Sequence, residues 1–389
     1  MYNILITDAE SRKTLSVIRS IGRLNNCKVF AISKYGLAIG SYSKYVERRF
    51  KIDSYSEEQL AALVEKTEAD LLLPCSEETV AIVSKSEMLK KKVISPVPPY
   101  EMFRICRDKS LTIDLAKEVG VDYPKTDYVE NVDNLIRKLN CRPKNEFPVI
   151  VKPTESSGSR GLRLIESIAS VNESLVHVWS SYNGFLIQEL IPLGGNVVDA
   201  VFLYKDGRCI ASFSDTRLRT YPPKMGACTL GVSTHDDRAL EMGQMLLNNL
   251  SWNGFAQVEF RESPKDGKLY LMEINPRLWG SVQLPIFAGV NFPKIMIESF
   301  LENKDISPDE LDYKTGVYFR WFGDYLSIMN DSESFKKKLL KLIKKPNGRL
   351  TTQILDSRDL LPSIFFLLNG IGALLSPDYW RKNVKSERI

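Results

Sequence analysis

Histidine and patterned cysteine are the scarcest chemistry in this sequence. The only histidines, His177 and His235, are too few and too far apart for an ordinary zinc site or a Ser-His-Asp triad. Cys27, Cys75, Cys106, Cys141, Cys209 and Cys228 form no C-x-x-C pair, and the opening Met-Tyr-Asn-Ile-Leu-Ile lacks a signal peptide's basic and apolar regions. Reduced, cytoplasmic thiols are therefore expected. No apolar run reaches the roughly 20 residues of a spanning helix. The nearly uncharged stretch from Leu360 to Leu375 is shorter and is interrupted by Pro362, Asn369 and two glycines. No G-x-G-x-x-G follows the first expected strand and no Gly-Lys-Ser/Thr closes a Walker A loop, which argues against a dinucleotide fold and a P-loop. Charge of one sign is also scarce: 53 basic residues against 48 acidic give a net +5, which suits an anionic ligand without requiring one. With no basic stripe interleaved with stacking aromatics, no zinc-finger spacing and no RRM-like signature, nucleic acid is not an expected partner. What remains for chemistry is carboxylates, lysines, arginines and backbone amides.

At 389 residues, and at roughly 150 residues per domain, two or three domains are expected. The first hundred residues alternate short apolar runs with helical stretches: Asn3 to Thr7, then 9–25, Lys28 to Ile32, 56–68, Asp70 to Pro74 and 76–91. That alternation predicts a parallel α/β sheet. From Pro98 to Pro148 the reading is mostly helical, with Phe103 to Val119 as one helix. Segments 147–165 and 185–275 then read as strands separated by Gly-rich and Pro-rich turns, an α+β mixture.

Two apolar-alternating strands, Gly254 to Phe260 and Leu269 to Asn275, flank the turn-forming Ser263-Pro-Lys-Asp-Gly267 and read as an antiparallel hairpin. Alternation puts Glu273 and Asn275 on one face, and pairing across the turn can bring Glu259 beside them. Two carboxylates and an amide are suitable magnesium ligands when substrate phosphates complete the shell. Arg277 follows directly and can face an anionic intermediate. Upstream, Phe147-Pro-Val-Ile-Val-Lys152 reads as a buried strand delivering Lys152 into the loop Ser156-Ser-Gly-Ser-Arg-Gly161. Gly158 and Gly161 permit unusual backbone angles, so with Ser156, Ser157 and Ser159 the loop can turn N–H groups toward phosphate oxygens. Such loops are also commonly plain connections. Gln188 and Glu189 end a third apolar strand, a position that can offer donors and acceptors to an adenine edge or be an ordinary strand end.

Taken in order, these elements resemble the ATP-grasp superfamily from residue 1 to about 320, and the Glu273-Ile-Asn-Pro-Arg277 box is similar to that of the carbamoyl-phosphate synthetase large subunit. The resemblance implies a preATP-grasp α/β domain (1–97), linker helices and a lid subdomain (98–185), and a large subdomain with the metal site (186–320). A helical C-terminal extension (321–389) would follow. It implies that Lys109, Lys152 and the 156–161 loop contact ATP phosphates, that Gln188, Glu189 and Ile191 border the adenine, and that Glu259, Glu273 and Asn275 hold Mg2+ or Mn2+. Family members place an acidic residue for the ribose where this chain has Asn196, with Asp199 nearby. The implied activity is ADP-forming ligation of a carboxylate to an amine, or to a thiol, through an acyl phosphate, with Arg277, Lys152 and Arg219 as candidate catalytic residues. Carbamoyl-phosphate-type or carboxylase chemistry and a non-catalytic ATP-binding regulator are the alternatives.

The expected partners are a small-molecule carboxylate and an amine, with a homodimer as a further expectation. Arg217, Arg219 and Lys224 can clamp a carboxylate, and read equally well as a solvated basic loop. The Leu278-Trp-Gly-Ser-Val-Gln283 segment is the other candidate for substrate selection, its Trp-Gly-Ser resembling predicted carboxylate-amine ligases. Phe335 to Lys345 is a basic amphipathic helix beside the apolar 360–375 run. Packing on the core or on a second copy is the preferred expectation there, with peripheral contact to an anionic membrane as the alternative.

Overall fold

The Ile4, Leu5 and Ile6 side chains are buried completely although they point alternately to opposite faces, as a parallel sheet covered by helices requires. The computed structural model describes residues 1–156, 158, 160–221, 226–329, 334–343 and 346–375. Strands β1 (Tyr2–Ile6), β2 (Cys27–Ser33), β3 (Val46–Lys51) and β4 (Leu71–Leu73) form a parallel sheet in the order β3-β2-β1-β4. Sequence reading misses β3, because Val-Glu-Arg-Arg-Phe-Lys carries the charges of a solvent-facing edge strand and not an apolar run. Helices follow the strands, and their starts are legible: Ser76 and Thr79 form a reciprocal cap on Glu77–Lys85.

The expected single helix from Phe103 to Val119 is two, Tyr100–Arg107 and Lys109–Val119. The break is at Asp108, whose carboxylate accepts from the Ser110 amide and starts the second helix. A small antiparallel sheet follows, in the order β5-β8-β6-β7, from β5 (Thr126–Val129), β6 (Val149–Pro153), β7 (Arg163–Ile165) and β8 (Phe185–Glu189). Its core, which includes Val149, Trp179 and Phe185, is separate from the others. The expected border between residues 185 and 186 falls inside β8, which lies wholly in this sheet.

The large sheet runs β13-β12-β9-β10-β11-β14-β15, from β9 (Val197–Lys205), β10 (Arg208–Tyr221), β11 (Ala227–Thr234), β12 (Gly254–Glu262), β13 (Leu269–Asn275), β14 (Tyr318–Arg320) and β15 (Leu350–Thr351). One apolar core joins it to the first sheet, Ile4, Ile6 and Val17 packing in the same cluster as Val201, Leu203 and Trp279. The C-terminal extension is helical at Gly323–Met329, Phe335–Ile343 and Leu361–Leu375, and it also supplies β15 to the large sheet. Among the described residues no helix is long and apolar enough to cross a membrane.

Candidate functional site

A cavity of about 1130 Å³ lies where the three sheets face one another. Each sheet contributes through a specific local device. The expected hairpin is present as β12 and β13, and Glu259 is registered directly opposite Glu273. One position further on, the register shifts so that Phe260 pairs with Leu271, leaving Met272 as an extra residue in β13. Such a bulge re-aims local groups; here the Met272 carbonyl accepts a 3.3 Å hydrogen bond from Lys152 Nζ. Asn275 Nδ2 donates to Glu259 Oε1 at 3.0 Å and to Glu273 Oε1 at 3.1 Å, holding the two carboxylates together.

Positive charge faces them. Lys109, at the start of its helix, has Nζ 3.8 Å from Glu273 Oε2 and donates to the Ser156 carbonyl at 2.9 Å. Burial, with Lys109 adding repulsion, pushes the Lys152 ammonium down to about 8. Burial also pushes Glu259 up to about 7, against the pull of Arg217. At Glu273 burial acts in the same upward sense, but Lys109 and Lys152 outweigh it and hold the carboxyl below its ordinary value. The neighbouring Arg277 spans two sheets, with Nη2 donating to Asn275 Oδ1 at 2.9 Å and Nε 3.3 Å from Glu77 Oε1.

Lys109, Lys152, Gly158, Arg277 and the carboxylate pair with Asn275 all line the cavity, as do Gln188, Glu189 and Ile191 at its other end. Gln188 Nε2 donates to Thr126 Oγ1 at 2.8 Å, and Glu189 Oε1 accepts from the Lys125 amide at 2.7 Å, so β5 fixes both. Ile150, registered opposite Gln188, and Ile191 are apolar at this end, and Val197 and Met272 add apolar lining to the cavity.

Other expectations fall elsewhere. Gly161 (φ +74°) packs behind the loop, its Cβ position blocked by Pro153 and its carbonyl taken by Trp179 Nε1. Asn196 is outside the cavity lining and donates from Nδ2 to Glu262 Oε2 at 2.8 Å. Arg219, expected in catalysis and in a substrate clamp, forms a two-point pair with buried Asp324 at 2.6 and 2.8 Å. It ties the C-terminal extension to the sheet and is not among the residues lining the cavity. The register shift at Leu218 separates it from Arg217, which does line the cavity. Arg217 is not held for a substrate: Asp199 takes it at 2.7 Å through both oxygens, and Glu259 at 2.5 Å. Leu278 and Trp279 are buried core, whereas Gly280 and Ser281 reach the cavity. Ser157, Ser159 and Lys224 lie outside the described residues.

Sequence reading missed the cavity's contributors from the first sheet: Asp8, Arg12, Lys13 and Glu77, and with them Trp321. Open parallel sheets bind ligands beyond the carboxyl ends of their strands. The positions just after β1 and β4 were therefore the available signal.

The donor set fits a hard divalent cation. Two carboxylates share one amide at hydrogen-bond distance, and the amide's rotation can exchange its nitrogen for its oxygen. Among the described residues no group of three or more His, Cys, Asp or Glu side chains gathers for a metal; a magnesium ion on two carboxylates and an amide would complete its shell with water or substrate oxygens.

Residues 194–322 match the family model described as ATP-grasp in the biosynthetic pathway with Ter operon. The chain is similar to the carbamoyl phosphate synthase large chain of Thermoanaerobacter sp. (strain X514), 25% identical over 240 residues that cover 56% of this chain and 20% of that one. It is also similar to the D-aspartate ligase of Enterococcus faecium (strain Aus0004), 22% identical over 308 residues, or 74% of this chain and 73% of the ligase. The chain thus spans a fifth of the first relative's length and about three quarters of the second's. Among solved structures, a biotin carboxylase complex from Campylobacter jejuni superposes with a TM-score of 0.65 at 17% identity, covering 80% of this chain and 73% of that one. Residues 194–322 thus match an ATP-grasp family, and the chain as a whole is similar to these proteins in sequence and fold.

Proposed function

We propose that the chain is an ATP- and magnesium-dependent, ADP-forming ligase that joins a carboxylate to an amine. The observation that carries this reading is the cross-strand pair Glu259 and Glu273, with Asn275, facing Lys109 and Lys152 in the cavity among the three sheets. The apolar end at Ile150, Ile191, Val197 and Met272 would take the adenine, with Gln188 and Glu189 at its edge. Lys109 and Lys152 would hold the phosphates. Magnesium, held by Glu259, Glu273 and the Asn275 oxygen, would offset charge on the transferring group. A carboxylate oxygen attacks the γ-phosphorus, the bond to the β–γ bridging oxygen breaks and ADP leaves. The amine nitrogen then attacks the acyl carbon, phosphate departs and the nitrogen loses a proton. Arg277 would meet the anion at the reacting carbon, and catalysis of this kind is mainly positional and electrostatic.

Similarity along most of the length of a D-aspartate ligase favours amide formation over the carboxylation suggested by the biotin carboxylase fold match. ADP release measured across panels of amino acids and sugar acids, with hydroxylamine to trap an acyl phosphate, tests the proposal. Substrate-dependent ADP and a hydroxamate support it. ADP formed only with bicarbonate would move the reading to carboxylase or carbamoyl-phosphate chemistry, and ATP binding without any turnover would make the chain a regulator.

The last described helix supports peripheral membrane contact, because Leu360, Leu361, Ile364, Leu367 and Leu368 are all about half exposed or more. Flotation with anionic vesicles tests this. Equal recovery of the full chain and of a Leu367→Glu/Leu368→Glu variant in the soluble fraction would end that reading.

A further inference from the structure

The helix Arg12–Ile21 begins at the cavity wall in an unusual way. Its cap residue, Ser11, makes no side-chain capping bond, and its first turn contains no acidic residue but does contain Arg12 and Lys13. Proteins ordinarily place acidic groups at this end of a helix, where unpaired amides and the aligned peptide dipoles attract negative charge. Here both neighbouring side chains are cationic and both line the cavity.

Arg12 supplies the second, independent observation. Its guanidinium carbon lies over the Trp321 ring, 3.5 Å from the ring centre, and its Nη1 nitrogen is buried with no hydrogen-bond partner. Among the described residues no carboxylate pairs with it. Burial accordingly pushes it down to about 10 with no opposing influence. The platform beneath is fixed, since Trp321 Nε1 donates to the Cys228 carbonyl at 2.8 Å and Gly323 leaves room where any Cβ would strike the ring. Lys13 Nζ donates to the Leu278 carbonyl at 2.9 Å, the same oxygen that receives Arg277 Nη1 at 3.0 Å, so these two cavity-lining side chains share one buried acceptor. Of the nearby carboxylates, Glu77 faces Arg277 and Arg107, and Asp8 accepts from Thr79 Oγ1 and the Ser76 amide. Glu10 also lines the cavity with its Oε2 buried and without a hydrogen-bond partner, and burial pushes its carboxyl above the ordinary value, toward the neutral form.

We propose that the start of this helix, with Arg12 and Lys13 and beside Arg277, is a second anion subsite that binds a carboxylate or phosphate group on the non-nucleotide substrate. The inference deepens the ligase reading and rests on it for the word substrate. The subsite is built from the first sheet's domain and the C-terminal extension, whereas the triphosphate would lie at Lys109 and Lys152. A planar guanidinium stacked on an aromatic ring, with one edge unpaired, is suited to two-point recognition of a carboxylate or phosphate. The reacting carboxylate would then not be the substrate's only anionic group.

Titration calorimetry on the full chain tests this, with orthophosphate and with succinate as probes, each with and without saturating ADP and magnesium. Wild type is expected to bind at least one probe at one site per chain while nucleotide is present. Arg12→Met and Arg12→Gln, two variants in case one folds poorly, are each expected to weaken that binding tenfold or more. Arg208→Met, on an exposed arginine paired with Asp305, is expected to bind like wild type. The tighter probe identifies the group. Absence of binding to wild type would overturn the subsite, as would binding that survives in the Arg12 variants and disappears in Lys152→Met, which would put the probe at the phosphate-transfer position. If wild type binds no ADP, the nucleotide reading fails, and the titration without nucleotide still decides the subsite.

Discussion

Glu273 is the residue on which the opposing charges of the cavity converge. It shares Asn275 Nδ2 with Glu259, faces Lys109, and stays ionised in a buried place because Lys109 and Lys152 outweigh the cost of desolvation. Glu273→Gln keeps the shape and removes the charge, so substrate-dependent ADP formation should fall on the order of a hundredfold or more, the scale of losing support for a catalytic cation. Circular dichroism should match wild type, and near-wild-type turnover would remove Glu273 from the cation site. Its grouping with Glu259 and Asn275 was legible because a two-residue period and a turn containing Pro264 and Gly267 mark a hairpin face, whereas Lys109 was expected only from the family resemblance. Lys13 was not legible, since its hydrogen-bond acceptor, the Leu278 carbonyl, is 265 residues away and Arg277 is the residue before that. Burial and then Arg277 push its ammonium down to about 7. A lysine lowered on folding carries its full penalty below the folded value and loses it as pH rises toward the ordinary value of 10.5. Lys13→Met should therefore be more stable than wild type in urea at pH 6.5, with the difference shrinking steadily by pH 9.5. A constant or widening difference would show that Lys13 is not held as a costly buried charge.

At the scale of elements, most strands and helices could be read because their apolar periods are strong, and the exceptions have identifiable causes. β3 is masked by edge charges, and Asp108 splits a continuous helical pattern because a short acid can cap as well as continue. The shifts at Met272 and Leu218 leave no mark in residue order, yet the first frees the carbonyl that receives Lys152 and the second separates the roles of Arg217 and Arg219. Neither the substrate clamp nor the solvated loop expected for Arg217 and Arg219 anticipates their buried carboxylate partners, Asp199 and Asp324, which other elements supply. Close backbone approach also shapes the entry to the hairpin that carries Glu259 and Glu273. Gly254 opens β12 at φ +85°, and a Cβ there would sit 2.1 Å from the Pro96 carbonyl oxygen. Gly254→Ala should lower unfolding free energy by about 2–3 kcal/mol, combining left-handed strain with displacement of the 96–97 backbone. Urea denaturation measures it, and a loss below about 0.5 kcal/mol would mean that the backbone there yields freely.

For the whole molecule, the question is what keeps the first sheet's domain in register with the large sheet, since the cavity needs residues from both. One answer is the shared apolar core; another is a polar clasp at the far end of the helix that begins with Arg12. Arg19, in the last turn of that helix, is buried, with Nε 2.8 Å from Asp359 Oδ2 and its other nitrogens donating to the Gln353, Ile354 and Asp359 carbonyls. Asp359 in turn accepts from Ser43 Oγ at 2.7 Å and from the Lys44 amide at 2.9 Å. Tyr42 stacks on Phe365 with ring centres 3.9 Å apart. Sequence reading treated this end of the chain as an appendage because none of these partners is local. A buried pair stripped of one member leaves an uncompensated charge, which typically costs about 3–5 kcal/mol, whereas a surface pair is worth about 0–1 kcal/mol. Asp359→Ala should therefore destabilise the chain by about 3–5 kcal/mol and expose the 346–375 segment to limited proteolysis before any other region is cut. Asp356→Ala, which removes the more exposed partner pair with Arg23, should cost about 1 kcal/mol or less and leave the cleavage pattern unchanged. Equal effects of the two substitutions would mean that the clasp contributes no more than surface charge, and that the apolar core alone holds the two sheets around the cavity.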